Sequence, residues 1–330
     1  MINAALFVKF DVYMCKVLFI DVVHSVLKER LTTQGYDCID VTRDTKEDVL
    51  LALKDACGVV IRSRFSLDKS VLSSAKELRF IARSGSGTEN IDLNYCANQG
   101  IEVFSSPEGN RNAVAEHALG FLLALLNNFK RAQVEIESGL WERHTNSGRE
   151  LSSCVVGIIG CGNNGLAFAQ KLISLGVKVL VYDKYIKVNK AGVLQVELEE
   201  LYNQVNVLSF HVPQTKETTF MGRRSFFSRF KKTLIVLNIS RGCVIHTEGL
   251  VQAMKEGKIQ KAALDVLEYE TKSFESFFEK KLPEDFTYLR SNPNVILTPH
   301  VAGWSEESYF KLSNVLAEKI INMNPSKKDT

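Results

Sequence analysis

The composition of the chain is that of an ordinary globular protein. Of its 330 residues, 45% are hydrophobic and 24% are charged, which suits about two domains and excludes a disordered, collagen-like or single small-module protein. Lysine and arginine outnumber acidic residues by 41 to 38, and a net charge of +3 argues against nucleic acid or an anionic membrane as a partner. A small anion held by a few arginines fits this balance.

The cysteines and the apolar runs predict a cytoplasmic protein. Seven cysteines are scattered along the chain without a C-x-x-C pair, which predicts thiols in a reducing compartment rather than a disulfide framework or a zinc cluster. We therefore expect no metal site. No apolar run reaches the ~18 residues of a membrane span. Residues 1–14 lack the pattern of a cleaved signal, and 1–13 are expected to form an added arm.

Strand-like and helix-like runs alternate over the first hundred residues. The apolar, β-branched run at 15–23 is typical of a strand buried on both faces of a parallel sheet, and a helix is predicted at 25–34. The alternation repeats, with strands predicted at 37–41, 58–62, 79–82 and 101–104. This pattern predicts a doubly wound α/β unit.

A long apolar helix predicted between Pro107 and Asn127 is expected to be the first helix between two domains. A second α/β series follows, with strands predicted at 155–159, 177–182, 207–210, 234–238, 262–265 and 295–297. It predicts a second doubly wound domain. A last helix at 306–321 is expected to pack back on the first domain, which would make that domain discontinuous.

A glycine motif after the strand at 155–159 predicts a dinucleotide site. Gly160, Gly162 and Gly165 form G-x-G-x-x-G and lead into a helix. The first glycine allows a tight turn, the second allows the backbone to approach a pyrophosphate, and the third allows close helix–strand packing. The alternative is a plain strand-to-helix turn that binds nothing.

Asp183 ends the next strand and strengthens this prediction. It lies near the ~20-residue offset at which a carboxylate binds the adenosine ribose. Its carboxylate can accept hydrogen bonds from both ribose hydroxyls and would repel a 2′-phosphate, so NAD is favoured over NADP. Lys184 next to it would soften that repulsion.

Polar residues follow four strands of the second series at the carboxyl edge, where an open parallel sheet binds its ligands. They lie in the segments 211–215, 238–242, 264–270 and 298–300. Arg241, a carboxylate of Glu268 or Glu270, and His300 thus reach the edge where a nicotinamide would lie.

The order of these motifs resembles that of the D-isomer-specific 2-hydroxyacid dehydrogenases, and most of all the branch containing 3-phosphoglycerate dehydrogenase. The resemblance covers about residues 16–316. The matching segments are 84–92, Asn110 with 115–117, the glycine motif with Asp183, 238–242, 263–266 with Glu270, and 299–303. It implies an enzyme that transfers a hydride between NAD(H) and C2 of a 2-hydroxy or 2-keto acid, with 3-phosphoglycerate as one candidate substrate.

The resemblance also implies how the two domains divide the work. Residues 1–107 with 302–330 would form a flavodoxin-like substrate domain, and 108–301 would form a Rossmann NAD-binding domain. A homodimer through the NAD-binding domain is implied, with Trp141 at the subunit contact. No regulatory domain is expected after the last helix.

By the same resemblance, Arg241 binds the α-carboxylate and the C2 oxygen of the substrate, His300 exchanges the proton, and Glu270 holds the histidine and keeps it charged. Histidine suits proton exchange because it ordinarily titrates close to neutral pH. A planar guanidinium gives a two-point grip on a carboxylate that lysine cannot match.

Further site residues are predicted at both domains. The predicted cofactor contacts are Gly160, Gly162, Asn163, Asn164, Gly165, Asp183, His211, Pro213, Thr218 and Asp265. The predicted substrate contacts are Arg62, Ser84, Gly85, Ser86 and Gly87. A glycine-rich turn offers backbone N–H groups to a carboxylate. Arg62, Arg64 and Arg83 either face the cleft and favour a second anionic group such as a phosphate, or are solvated charges at strand ends.

The chain departs from the family pattern after Glu270. Thr271 stands where family members often have proline, and 272–290 mixes aromatic residues with charges. This segment is either a lid or partner surface, or a small helix packed on its domain, and we favour the packed helix.

Two other functions fit the same motifs. A protein that senses NAD(H) without turnover, like the transcriptional corepressors that resemble this family, is one, although the joint presence of Arg241, Glu270 and His300 argues against it. Oxidation of formate or phosphite is the other, and product analysis would separate it.

Overall fold

The computed structural model describes residues 15–270 and 283–323. They form two compact units, one within Met1–Ser106 and Ser313–Thr330 and the other within Pro107–Leu312. Each unit contains one parallel sheet, which confirms the predicted α/β class with two doubly wound sheets. No helix in these ranges has the length and apolar content needed to cross a bilayer. The predicted arm at 1–13 lies outside the described residues.

The first unit is built on five parallel strands. The strands are β1 (Lys16–Phe19), β2 (Asp37–Asp40), β3 (Gly58–Ile61), β4 (Phe80–Arg83) and β5 (Glu102–Ser105). Its complete helices are α1 (Ser25–Thr33), α2 (Lys46–Ala52), α3 (Lys69–Leu72) and α4 (Leu93–Gln99). The strand order β2-β1-β3-β4-β5 is flavodoxin-like, and the central strands are apolar because both of their faces are buried.

The second unit is built on seven parallel strands. The strands are β6 (Val155–Ile159), β7 (Lys178–Tyr182), β8 (Leu194–Gln195), β9 (Val207–Phe210), β10 (Leu234–Asn238), β11 (Ile259–Leu264) and β12 (Val295–Leu297). The helices are α5 (Pro107–Leu126), α6 (Phe129–Glu137), α7 (Asn163–Ser174), α8 (Leu198–Gln204), α9 (Arg224–Phe227), α10 (Thr247–Lys255), α11 (Glu284–Ser291) and the first part of α12 (Glu306–Ile321). The order β12-β11-β10-β9-β6-β7-β8 is that of a Rossmann sheet with one extra strand.

The predicted strands are all present, and two differences have local causes. β8 escapes sequence analysis because its two residues are exposed and form no apolar run. β11 begins at Ile259, three residues before the predicted start. The prediction began at 262 because Gln260 and Lys261 interrupt the apolar pattern of the strand. Within the segment 272–290, α11 buries Phe286 and Leu289 on the second unit, and 271–282 lies outside the described residues.

The boundary between the two compact units falls inside α12, between residues 312 and 313. An added Cβ at Gly109 in α5 would lie 2.7 Å from the backbone nitrogen of Leu312, so the first half of α12 packs closely on α5. The second half buries Leu316, Ala317 and Ile320 in the core of the first unit. The assignment of a substrate role to one unit and a cofactor role to the other stays a prediction.

A disulfide joins Cys15 and Cys57, contrary to the expectation that all cysteines are thiols. These residues directly precede the neighbouring strands β1 and β3, and parallel pairing brings their Cα atoms to 5.5 Å, within the range for a disulfide. Spacing along the chain carries no sign of this pairing, because the two cysteines are 42 positions apart in sequence. The other five cysteines are free, and Cys96, Cys154 and Cys161 are buried.

Close packing at Gly58 allows a direct test of the first unit. A Cβ at this position would overlap the ring of Phe80, which is fully buried. We expect Gly58→Ala to lower the free energy of unfolding by about 1–3 kcal/mol, because the ring must move in a packed core. Urea unfolding followed by circular dichroism measures this loss.

Gly120→Ala is the matched control. Nothing lies within 4 Å of the Cβ that this substitution adds to α5, so stability should stay equal or rise through the better helix propensity of alanine. Equal unfolding midpoints for Gly58→Ala and the unsubstituted protein would contradict the packing of β3 on Phe80.

Candidate functional site

The glycine turn between β6 and α7 has the geometry that a pyrophosphate needs. Gly160 has a φ of +92°, and an added Cβ would lie 2.7 Å from the carbonyl oxygen of His211. A Cβ at Gly165 would overlap the carbonyl of Gly160, so α7 packs directly on the turn. At Gly162, by contrast, an added Cβ meets only Ile186 at 4.0 Å. The backbone is therefore tightly packed on one side and open to a ligand at Gly162.

Asp183 ties this turn to the loop after β7. Its Oδ2 accepts the N–H of Cys161 at 2.7 Å, and its Oδ1 accepts the N–H groups of Tyr185 and Ile186 at 2.9 and 2.8 Å. A carboxylate offers about four acceptor positions. Without loss of a backbone bond, Asp183 therefore has room for one ribose hydroxyl rather than the two expected.

Other groups at the turn also fit a dinucleotide. The Oδ1 of Asn164, on the first turn of α7, is buried without a hydrogen-bond partner among the described residues, and a polar ligand group would satisfy it. Asn163 is exposed at the same helix terminus. Burial and the nearby charge of Asp183 raise the pKa of the Cys161 thiol to about 11, so the turn contains no reactive thiolate.

His211 is a neutral residue next to the turn. Its Nε2 lies 2.8 Å from Oγ of Ser209, and its ring packs on Phe168 with centroids 5.5 Å apart. Burial lowers the pKa of His211 to about 3, so the ring does not titrate near neutral pH and cannot serve as a second base. Its predicted contact with the cofactor stays a prediction.

Pro213 and Thr218 belong to one closed loop after β9. The hydroxyl of Thr218 donates to the carbonyl oxygen of Pro213 at 2.6 Å and accepts the N–H of Thr215 at 2.8 Å. The threonine thereby fixes the loop that carries both predicted cofactor contacts.

The turn that carries Arg241 is formed by its neighbours. Asn238 is fully buried at the end of β10, accepts hydrogen bonds from the N–H and hydroxyl of Ser240, and donates to the carbonyl of Arg241 at 3.0 Å. An added Cβ at Gly242 would overlap the carbonyl of Leu267. The asparagine therefore shapes the turn, and the glycine lets it lie against the loop after β11. The guanidinium of Arg241 donates to the carbonyl of Ser240 at 2.6 Å.

Glu270 and His300 are brought into direct contact. Oε2 of Glu270 lies 2.7 Å from Nδ1 of His300, and Oε1 accepts the N–H of Leu267 at 2.5 Å. The histidine and glutamate side chains are 26% and 16% exposed, so the pair is largely shielded from water. A carboxylate on Nδ1 fixes the orientation and the tautomer of the ring. Glu268 instead accepts the N–H of Thr247 at the start of α10.

Asp265 holds the loop on which His300 lies. Its carboxylate is 2% exposed and accepts hydrogen bonds from the hydroxyl of Thr298 at 2.5 Å and from the N–H groups of Val301 and Ala302 at 2.9 and 2.8 Å. His300 has a φ of +56°, a left-handed conformation that a histidine adopts only when its surroundings hold it there. Asp265 thus positions His300, while its predicted contact with the nicotinamide stays a prediction.

Sequence reasoning missed the contribution of His117 and Thr298. Nε2 of His117 lies 3.2 Å from Oγ1 of Thr298 and 3.9 Å from Oδ1 of Asp265. Because the hydroxyl of Thr298 donates to Asp265, its oxygen accepts from His117, which places the ring proton on Nε2. The sequence offered only a histidine in a helix, with nothing to show that it faces the residue after β12.

In the first unit, Ser84 and Gly85 begin the predicted carboxylate-binding turn after β4. Ser84 is buried and donates its N–H to Ile61. Gly85 has a φ of +150°, and its N–H donates to Oγ of Ser106 at 3.3 Å. The expected donation of this N–H to a substrate therefore competes with an internal bond, whereas donation by Ser86 and Gly87 stays a prediction.

The arginines of the first unit differ in their surroundings. The guanidinium of Arg64 donates to the backbone carbonyls of Ile20, Val41 and Asp44. Arg64 is therefore part of the fold. The side chain of Arg83 packs across Gly85. The backbone N–H of Arg62 donates to the carboxylate of Asp21. The predicted contact of Arg62 with an anionic group of the substrate stays a prediction.

The second unit matches a known family. A family model described as "D-isomer specific 2-hydroxyacid dehydrogenase, NAD binding domain" matches residues 119–302. D-3-phosphoglycerate dehydrogenase of Archaeoglobus fulgidus is 32% identical over 311 residues, which are 93% of this chain and 57% of the relative. Hydroxypyruvate reductase of Thermotoga maritima is 31% identical over 275 residues, 83% of this chain and 87% of the relative. The chain thus spans little more than half of the first relative and most of the second.

Solved structures agree with this match. D-lactate dehydrogenase of Aquifex aeolicus, complexed with NAD and lactic acid, superposes with a TM-score of 0.78 at 26% identity and covers 93% of this chain and 94% of that one. A D-2-hydroxyisocaproate dehydrogenase superposes with a TM-score of 0.80 at 26% identity, covering 93% and 96%.

Two glycines of the turn should respond differently to the same substitution. We expect Gly162→Ala to fold normally but to weaken NADH binding at least about tenfold, because the added methyl group occupies the open side of the turn. Gly165→Ala should instead lower the unfolding temperature, because its methyl group overlaps the carbonyl of Gly160. Fluorescence titration with NADH and thermal unfolding measure the two effects, and unchanged NADH affinity in Gly162→Ala would refute the site.

Proposed function

We propose that this chain, which belongs to the D-isomer specific 2-hydroxyacid dehydrogenase family, is an NAD-dependent D-2-hydroxyacid dehydrogenase. It would interconvert a 2-hydroxy acid and its 2-keto acid. The observation that carries the proposal is the contact between Glu270 and His300 at 2.7 Å, in the same unit as the glycine turn. A nucleotide-binding protein without turnover has no need of this histidine–carboxylate pair.

The proposed mechanism assigns one task to each residue. When held over the glycine turn before α7, NAD(H) would supply or accept the hydride. Because Glu270 engages Nδ1 of His300, Nε2 is the ring nitrogen that gives a proton to the C2 oxygen during reduction and takes it back during oxidation. Arg241 binds the α-carboxylate through its planar guanidinium, on a turn that Asn238 fixes.

A substrate with a second anionic group is favoured, and 3-phosphoglycerate is our candidate. Arg62 directly follows β3 in the first unit, and Gly85, Ser86 and Gly87 follow β4, the neighbouring strand of the sheet. The name of the Archaeoglobus fulgidus relative supports this substrate class. We propose that Arg62 binds the second anion and that the segment 84–87 binds the carboxylate.

Substrate identity and the chemistry are tested in one kinetic experiment. The purified chain is screened by nicotinamide absorbance against 3-phosphohydroxypyruvate, hydroxypyruvate, glyoxylate, pyruvate and 2-ketoglutarate. We expect the phosphorylated compound to have the highest kcat/KM and Arg62→Ala to raise its KM selectively. On the same compound, His300→Ala should lower kcat by about 10²- to 10⁴-fold, the contribution of general acid–base catalysis.

Controls separate loss of chemistry from loss of fold. His144→Ala, at an exposed position of the second unit, should retain full turnover. NADH affinity should be unchanged in His300→Ala and in Glu270→Gln, and Glu270→Gln should lower kcat less than His300→Ala does. Full turnover in His300→Ala would end the assignment, and NADH binding without turnover of any compound would favour a sensor.

We also propose that the chain forms a homodimer through the second unit and is cytoplasmic. Helix α6 buries none of its residues, and Phe129, Val134, Ile136, Leu140 and Trp141 are exposed along and just after it. Several large exposed apolar side chains in one segment favour a contact surface. The five free cysteines suit a reducing compartment, whereas the disulfide between Cys15 and Cys57 is unusual there.

The proposed dimer is tested by introducing a charged residue at the centre of the proposed interface. Trp141, which is 80% exposed, is changed to glutamate, and sedimentation velocity measures the mass. We expect a dimer for the unsubstituted chain and a monomer for Trp141→Glu, because the interface would bury an unpaired charge. Tyr185→Glu, at a residue 77% exposed elsewhere on the unit, should stay dimeric. A monomer in both the unsubstituted chain and the control would refute the interface.

A further inference from the structure

Three exposed side chains link the two loops that follow β7 and β9. Nζ of Lys184 lies 2.6 Å from Oε1 of Glu217, and the hydroxyl of Tyr185 donates to Oε2 of the same carboxylate at 2.7 Å. The ammonium of Lys184 also lies 5.3 Å from the centroid of the Tyr185 ring. We call Lys184, Tyr185 and Glu217 the β7–β9 loop cluster.

Lys184 directly follows the residue that is predicted to bind the ribose of the cofactor. In a Rossmann site, the carboxylate at the end of the second strand binds the ribose, and a nearby basic residue accommodates the additional 2′-phosphate of NADP. Asp183 occupies the carboxylate position, and Lys184 directly follows it. The chain therefore has a cation in the neighbourhood where NADP needs one.

Glu217 engages that cation. The hydrogen bond between them raises the pKa of Lys184 and lowers the pKa of Glu217, so both groups are charged near neutral pH. The two oxygens of Glu217 are used by two different partners, which keeps the carboxylate directed at the loop after β7. A 2′-phosphate would thus meet a lysine that is already paired, in addition to the negative charge of Asp183.

We propose that Glu217 is a specificity-determining residue that enforces the preference for NAD by holding Lys184 away from a 2′-phosphate. The inference rests on the proposed function, because it assumes that the dinucleotide binds over the glycine turn with its ribose at Asp183. The proposal assigns the choice between NAD and NADP to Glu217, 34 positions beyond Asp183 in sequence. The glycine motif alone does not indicate a role for this residue.

The test measures binding and needs no substrate. Fluorescence titration gives the Kd of NADH and of NADPH for the unsubstituted chain, Glu217→Gln, Lys184→Met and the double variant. We expect Glu217→Gln to lower the Kd of NADPH by about three- to tenfold and to leave the Kd of NADH within about twofold, since exposed ion pairs have modest effects. When Lys184 is already changed to methionine, Glu217→Gln should change the logarithm of the Kd of NADPH by less than half as much.

Tyr185→Phe is the matched control for the loop contacts. It removes the hydroxyl that reaches Glu217 but keeps the ion pair, so the Kd of both nucleotides should stay within about twofold. The gain in NADPH affinity in Glu217→Gln should also shrink as salt is added, because both side chains are 54% exposed.

Each other outcome overturns the inference. An unchanged Kd of NADPH in Glu217→Gln would show that Lys184 does not reach the phosphate. If Glu217→Gln raises NADPH affinity equally with and without Lys184, Glu217 acts only through its own charge. If the substitution weakens the binding of NADH and NADPH equally, the role of Glu217 is purely structural. Failure of the unsubstituted chain to bind NADH would instead contradict the proposed function itself.

Discussion

The carboxylate of Asp265 connects the fold of the second unit to its chemistry. It is almost fully buried, and a buried carboxylate is costly unless hydrogen bonds satisfy it. Its donors are Thr298, Val301 and Ala302, which lie on both sides of His300. The segment that presents the imidazole therefore cannot relax its left-handed backbone without leaving this carboxylate unsatisfied, a loss of about 1–3 kcal/mol or more. The hydrogen bonds that satisfy the buried carboxylate of Asp265 therefore also hold the strained backbone of His300 in place.

Glycines then bring the loops of the site within reach of each other. At Gly242 the turn of Arg241 lies so close to the carbonyl of Leu267 that no side chain fits between them. Leu267 in turn donates its N–H to Glu270, which engages His300. A series of contacts thus leads from the turn after β10 through the loop after β11 to the imidazole.

The sequence predicted what depends on local pattern and missed what depends on contacts across the fold. Apolar runs located the strands, and the rule that parallel strands end at one edge placed His300 and the carboxylates of the segment 264–270 in one site. The family resemblance then selected Glu270. The bond between His117 and Thr298 spans 181 residues and has no local signature. The same holds for the three backbone donors that already occupy Asp183, because hydrogen-bond stoichiometry depends on loop conformation and not on residue type.

In this unit, two pairs of a carboxylate with a basic side chain differ in their exposure to solvent, and this difference decides what each pair can do. Glu270 and His300 are mostly shielded, so water and salt weaken their contact little, and the imidazole keeps one orientation for proton exchange. Lys184 and Glu217 have similar separations but are more than half exposed, so their contact is screened and exchanges readily with solvent. A pair of the first kind can fix chemistry, whereas a pair of the second kind can only bias a choice between two ligands. Selectivity for the dinucleotide should therefore vary with ionic strength under conditions in which the geometry of His300 does not.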